Sequence, residues 1–203
     1  GLTSAQLVAL STDQAAALTS TQLANLTTAQ VPALQAADVA SLSTVAVAGA
    51  GNAFVSALSS AQVAALITTQ IAALTSAQIA ALPTANMVAL GTAGVVALTT
   101  AQAAALSGVQ LAALTTAQVA AFETADLAKL TSTAVKGLTT AQLVALTTGQ
   151  AAALTSAQLA ALSTAQIVAL ETADLAKLST SAVAGLTTAQ IPVLTTAQIA
   201  ALG

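Results

Sequence analysis

The side chains able to do chemistry in this 203-residue chain are few, and most sit in two matching places. Glu123 and Asp126 lie three residues apart, and Glu171 and Asp174 repeat that spacing within an identical ETADLAK segment. Carboxylates at this spacing share one face of a helix, where two of them could hold a weak Ca²⁺. Such an ion wants about six to eight oxygen ligands, so the expected role is plainer: negative charge near a helix start, where it complements the dipole. Lys129 and Lys177 follow Asp126 and Asp174 by three residues, a spacing that allows pairing along a helix surface, and Lys136 is the remaining cation.

The chain has no His, Cys, Trp, Tyr or Arg. This excludes Ser-His-Asp and Cys-His nucleophile systems, zinc sites built on His or Cys, and a disulfide framework. Gly49 and Gly51, in AVAGAGNAF, superficially resemble a phosphate loop but lack the preceding strand and the helix-opening pattern after it. The expectation is therefore no enzyme: no catalytic, cofactor-binding or metal-ligating residues, no cofactor and no small-molecule substrate. A formal charge of −3 gives no electrostatic footprint for nucleic acid or anionic lipid.

What positions these few residues is a repeat. From Leu2 through Ala201 the chain reads as twenty-five eight-residue units without insertion or deletion, and Leu202 and Gly203 open another. The slots run Leu, Thr/Ser, Thr/Ser, Ala, Gln, Ile/Val/Leu, Ala, Ala, as in Leu194–Leu202, LTTAQIAAL. Thr195 and Gln198 form a capping box, each side chain serving the other's backbone N–H. Leu194 and Ile199 then occupy the hydrophobic staple positions, and Ala carries the helix on. A single long helix is excluded, because eight residues overshoot two turns by about 80° and the leucines would spiral around it. The expected fold is all-α: a solenoid of very short capped helices, one per unit. A β-solenoid is the alternative, since Thr, Val and Ile favour strands, although the apolar slots do not alternate and Ala is depleted there. Pro32 and Pro192, both in the seventh slot, oppose a full α-helix and predict tighter turns or 3-10 segments in their units.

One unit cannot stabilise itself, so units must stack on neighbours. The reading is one continuous solenoid over 1–203, part of a longer array. Mean hydropathy is +0.90, yet polar slots interrupt every unit, so no membrane insertion is expected. Four variant pairs, starting at Leu34, Leu82, Phe122 and Leu170, replace Gln first with Asp38, Asn86, Asp126 or Asp174 and then with Ala or Gly. Three of these pairs end in Gly49, Gly137 or Gly185, which predicts a sharper corner or a closer backbone approach. Slots one and six form the expected interior. The fourth, seventh and eighth form an Ala-rich outer wall, with Val8, Val88, Val96, Val144 and Val168 added to it. A smooth, nearly uncharged wall of this kind points to lateral self-association into a filament or layer.

The unit LTTAQIAAL and its variant LETADLAKL resemble octapeptide arrays of very long bacterial proteins labelled adhesin-like or haem-utilisation-like. That resemblance implies an extracellular or cell-surface structural element: a spacer, stalk or filament-forming segment. A haem role does not carry over, since His is absent and Met87 is the sole Met. The alternative function is ice binding, through regular rows of Thr hydroxyls and methyls.

Overall fold

In the computed structural model, which describes residues 2–202, every eight-residue unit carries its own short helical element. Among the described residues there are twenty-two α-helices of four to seven residues, four 3-10 segments and no strand. The fold is the all-α solenoid, and the β-solenoid is set aside. The chain divides into two compact units, Gly1–Gln102 and Ala103–Gly203, each built by the same rules.

Those rules are local. In the stretch beginning at Leu58, Ser59 is extended (φ −70°, ψ 163°) and its hydroxyl accepts from the Gln62 N–H at 3.3 Å. Gln62 Oε1 accepts in return from the Ser59 N–H at 2.8 Å, which satisfies a donor the helix Ser60–Ala65 would otherwise orphan. That helix stops at Leu66, extended at φ −61°, ψ 127°. Ile67 is extended as well, at φ −79°, ψ 158°, and the helix Thr68–Ala73 follows. Two consecutive extended residues thus make this corner, whereas at Ala50–Gly51 and Leu90–Gly91 a helical residue followed by a positive-φ glycine does so. Even where Ile67 replaces the capping hydroxyl, Gln70 Oε1 still takes the Ile67 N–H at 2.9 Å.

The corners bring units together in stacked turns. In the first compact unit the helix Ser60–Ala65 packs on Ala36–Ser41, and Thr68–Ala73 packs on Thr44–Gly49. In the second, Thr164–Ala169 packs on Thr140–Val144. Slots one and six fill the interior, with Leu58, Val63, Ile71, Leu74 and Ile79 all buried. The outer wall differs from the sequence reading. Slots two, three, four and seven face solvent, so Thr and Ser share the wall with Ala, while the eighth-slot Ala65, Ala73 and Ala81 are half-buried against the next turn.

Proline acts as expected. Pro32 and Pro192, which bring no N–H, sit in the 3-10 segments Val31–Ala33 and Ile191–Val193. Pro83 opens a third such unit, Thr84–Asn86 followed by Val88–Leu90, which ends on Gly91 at φ +64°. Among the described residues no helix is long and apolar enough to cross a membrane.

Candidate functional site

The fifth slot, which the capping box explains only in part, is where the chain's polar chemistry gathers. Gln62 is buried, and with Oε1 occupied by its own cap, its Nε2 donates to the carbonyls of Val31 and Leu34 at 2.8 and 2.7 Å. These acceptors lie 31 and 28 residues back, about three and a half to four units, so one turn of the coil separates donor from acceptor. Gln70 repeats the contact on Val39 and Leu42, and Gln102 on Ile71 and Leu74. In the second compact unit Gln142, Gln150, Gln158 and Gln190 do the same.

The chemistry follows from helix ends. A helix of five or six residues leaves most of its carbonyls without an internal partner, and burying them unpaired costs roughly 1–3 kcal/mol each. A primary amide is the side chain that can accept at its own N-cap and donate twice more across a turn. Each of these Gln side chains thus completes the N-terminal cap of one helix and caps the C-terminal carbonyls of a helical segment one turn earlier.

The acidic residues are placed by the same geometry. Asp38, Asp126 and Asp174 occupy the fifth slot and are buried, whereas Glu123 and Glu171 occupy the second slot and are exposed. The two carboxylates of each ETADLAK segment therefore do not converge, and among the described residues no group of three metal-ligating side chains forms. Lys177 is exposed and makes no ion pair with the inward Asp174. The surface pairing expected at that spacing does not form between Asp174 and Lys177, because the carboxylate turns into the seam while the lysine side chain stays in solvent.

Asp38 and Asp174 differ instructively. Asp38 Oδ2 accepts from the Gln35 N–H at 3.3 Å, and Gln35 Nε2 supplies the cross-turn donor, to the Val8 carbonyl at 2.9 Å. At Asp174 the second slot is Glu171, which lacks the amide donor of Gln35, and Asp174 Oδ2 is buried without a hydrogen-bond partner. Burial, and after it the charge of Glu171, raises the Asp174 carboxyl above its ordinary pKa of 3.8. Asn86, in the same slot, restores the donor: its Nδ2 reaches the Leu58 carbonyl, 28 residues back, at 2.7 Å.

The glycines of the variant pairs mark where turns meet without a side chain between them. A Cβ on Gly49 would stand 2.6 Å from the Ser20 Cβ. A Cβ on Gly137 would fall inside the backbone of Gly108, and one on Gly185 inside that of Ser156. Gly51 plays another part, opening the helix Gly51–Ala57 at φ +82°.

Comparison with known proteins agrees with this periodicity. The model of the ALTTAQ repeat matches residues 1–28, 55–84, 79–116, 119–156 and 167–203, which is most of the chain. No curated protein and no solved structure matches it.

Proposed function

The chain belongs to the ALTTAQ repeat family, and we propose that it works as a non-catalytic structural element: a spacer, stalk or filament-forming segment of a bacterial surface or secreted protein. One observation carries this reading. The polar groups that recur in nearly every unit, the fifth-slot amides, are occupied by the chain's own backbone at both of their ends. Negative-stain microscopy of the purified protein should show rods or fibres. Compact, monodisperse globules alone would defeat the proposal.

Self-association is the partner the surface supports. Val8, Val88, Val96, Val144 and Val168 are 39–52% exposed on a wall that carries little charge to hold copies apart. Replacing Val88 and Val168 with Lys should dissolve lateral bundles at fixed protein concentration, read by light scattering.

The geometry is less favourable to ice binding. Helices pack on those three units back, while the amides reach 28 and 31 residues back, neither of them a whole number of eight-residue units, so Thr rows on successive turns are staggered. The N-cap hydroxyls also already accept from backbone N–H groups. Thermal hysteresis in the soluble protein would reverse this preference.

A further inference from the structure

We propose that two copies of this chain pair side by side, running in the same direction, through the face built by the helices Thr124–Lys129, Thr148–Ala152 and Thr172–Leu175; the proposal rests on the structural role above and specifies its self-association. These three helices stack on successive turns within the second compact unit. The two ETADLAK segments lie six units apart, so they share this face with one regular unit between them. Each segment has an exposed Glu at its helix start and an exposed Lys at the other end. Glu123 and Glu171 therefore line one edge of the face. Lys129 and Lys177 line the other, roughly 9 Å away at about 1.5 Å per residue.

That distance is too long for Glu and Lys of one segment to meet, and among the described residues none of the four is in an ion pair. On the intervening turn Thr147 and Ala153 hold the matching positions, so no charge there neutralises either edge. Between the edges the outward residues are small: Thr124, Ala125, Thr148, Gly149, Thr172 and Ala173 are all exposed. A Cβ on Gly149 would stand 3.9 Å from the Thr124 Cγ2, so adjacent turns adjoin at ordinary contact distance on this surface. A face this low lets the charged edges of a second copy come within reach of its own.

Charge decides how that copy lies. With a two-fold axis parallel to the coil, facing helices run in opposite directions. Glu123 of one copy then meets Lys129 of the other, and Glu171 meets Lys177, each pair being made twice. With the axis turned along the helices, the copies run in opposite directions and Glu123 meets Glu171 while Lys129 meets Lys177. Exposed ion pairs add little binding energy each, but like charges set against one another exclude the wrong orientation. The fitting occupant is a second copy in parallel. The contact uses no chain end, so it can form anywhere within a longer array.

Sedimentation equilibrium on the 203-residue chain at low salt tests this. The wild type should dimerise, and about 0.5 M NaCl should weaken the dimer about tenfold by screening. The variant Glu123→Lys, Glu171→Lys leaves only cations exposed on the face, and Lys129→Glu, Lys177→Glu leaves only anions. Each alone should stay monomeric with its helical circular dichroism retained, and an equimolar mixture should form one-to-one dimers. Direction is read by oxidative cross-linking in a chain that has no native Cys. Ala125→Cys alone and Ala173→Cys alone should each give covalent dimers. A cross-link found only when the two variants are mixed would overturn the parallel arrangement. A wild type that stays monomeric, or charge variants that dimerise as the wild type does, would overturn the pairing, and single rods in negative stain would then leave the structural role standing. Dimers indifferent to charge reversal but lost in Val88→Lys, Val168→Lys would also overturn it, placing the lateral contact on the valine wall.

Discussion

The regular stretch Leu138–Ala169 and the variant pair Leu170–Gly185 stack their turns in opposite ways. In the first, Gln142, Gln150, Gln158 and Gln166 fill the seam with amides that bond to the turn before. In the second, Asp174 leaves a buried oxygen unpaired, Ala182 offers no polar group, and Gly185 lets the backbone come up against Ser156. The pairing of a short fifth slot with glycine in the eighth recurs at Ala46 with Gly49 and at Ala134 with Gly137. A turn can therefore be held off its neighbour by a bonded amide or set directly upon it, and the second choice needs both side chains trimmed. Regular units hold the seam with amide hydrogen bonds, whereas the units trimmed to Ala and Gly depend there on steric fit.

The sharpest way to break the regular stretch is Gln150→Glu. The carboxylate keeps the acceptor for the Thr147 N–H but turns oxygen toward the Val119 and Phe122 carbonyls where an amide now donates. Losing those bonds while burying a charge should cost about 3 kcal/mol at neutral pH, read from the urea midpoint. Part of the loss should return in acid as the new side chain protonates. An unchanged midpoint would mean the amide acts only as a local cap.

Breaking a variant pair takes a methyl group instead. Gly137→Ala drives a Cβ into the Gly108 backbone, and the two turns must part to admit it. Overpacking of this kind should cost about 2 kcal/mol. The double substitution Gln142→Ala, Gly137→Ala should show whether the two seam types act independently, since additivity is expected only if they do.

This contrast also marks how far the sequence could be read. Thr195 with Gln198, three residues apart, declared the helix starts, and the Leu and Ile slots declared the interior, because both depend on contacts within one unit. Pro32 and Pro192 were legible for the same reason. The reach of Gln62 to residues 28 and 31 positions away was not, since it depends on the corner made by two extended residues. A clue was present all the same. The fifth slot holds Gln sixteen times and never Glu, although a capping box accepts either, so a donor as well as an acceptor is required there. The inward turn of Asp174 and the share of Thr and Ser in the outer wall follow from that corner too.

Asp174→Asn should convert a variant seam toward the regular kind. Asn86 shows that an amide this short reaches the carbonyl 28 residues back, which for position 174 is that of Leu146. The gain at neutral pH should be about 1 kcal/mol. The wild-type carboxyl titrates above its ordinary 3.8 in the folded chain, so between that value and the raised one the native state binds more protons than the unfolded state. Stability must then fall as pH rises through this window and recover in acid. Urea midpoints taken from acid to neutral pH should show the wild type losing ground to D174N as pH rises, and parallel curves would mean that the carboxyl is not perturbed.

The smallest effect belongs to Gly149, a glycine with neither role. It lies inside the helix Thr148–Ala152 of the regular stretch, and a Cβ there would meet nothing closer than the Thr124 Cγ2 at 3.9 Å. No positive φ requires glycine at this position. Gly149→Ala should therefore stabilise the chain by about 0.5 kcal/mol, through helix propensity and a less flexible unfolded chain. Set against the loss from Gly137→Ala, the opposite sign of the same substitution isolates contact between turns as the cause. If both cost the same, the glycines of the variant pairs would be serving local helix geometry and not the seam.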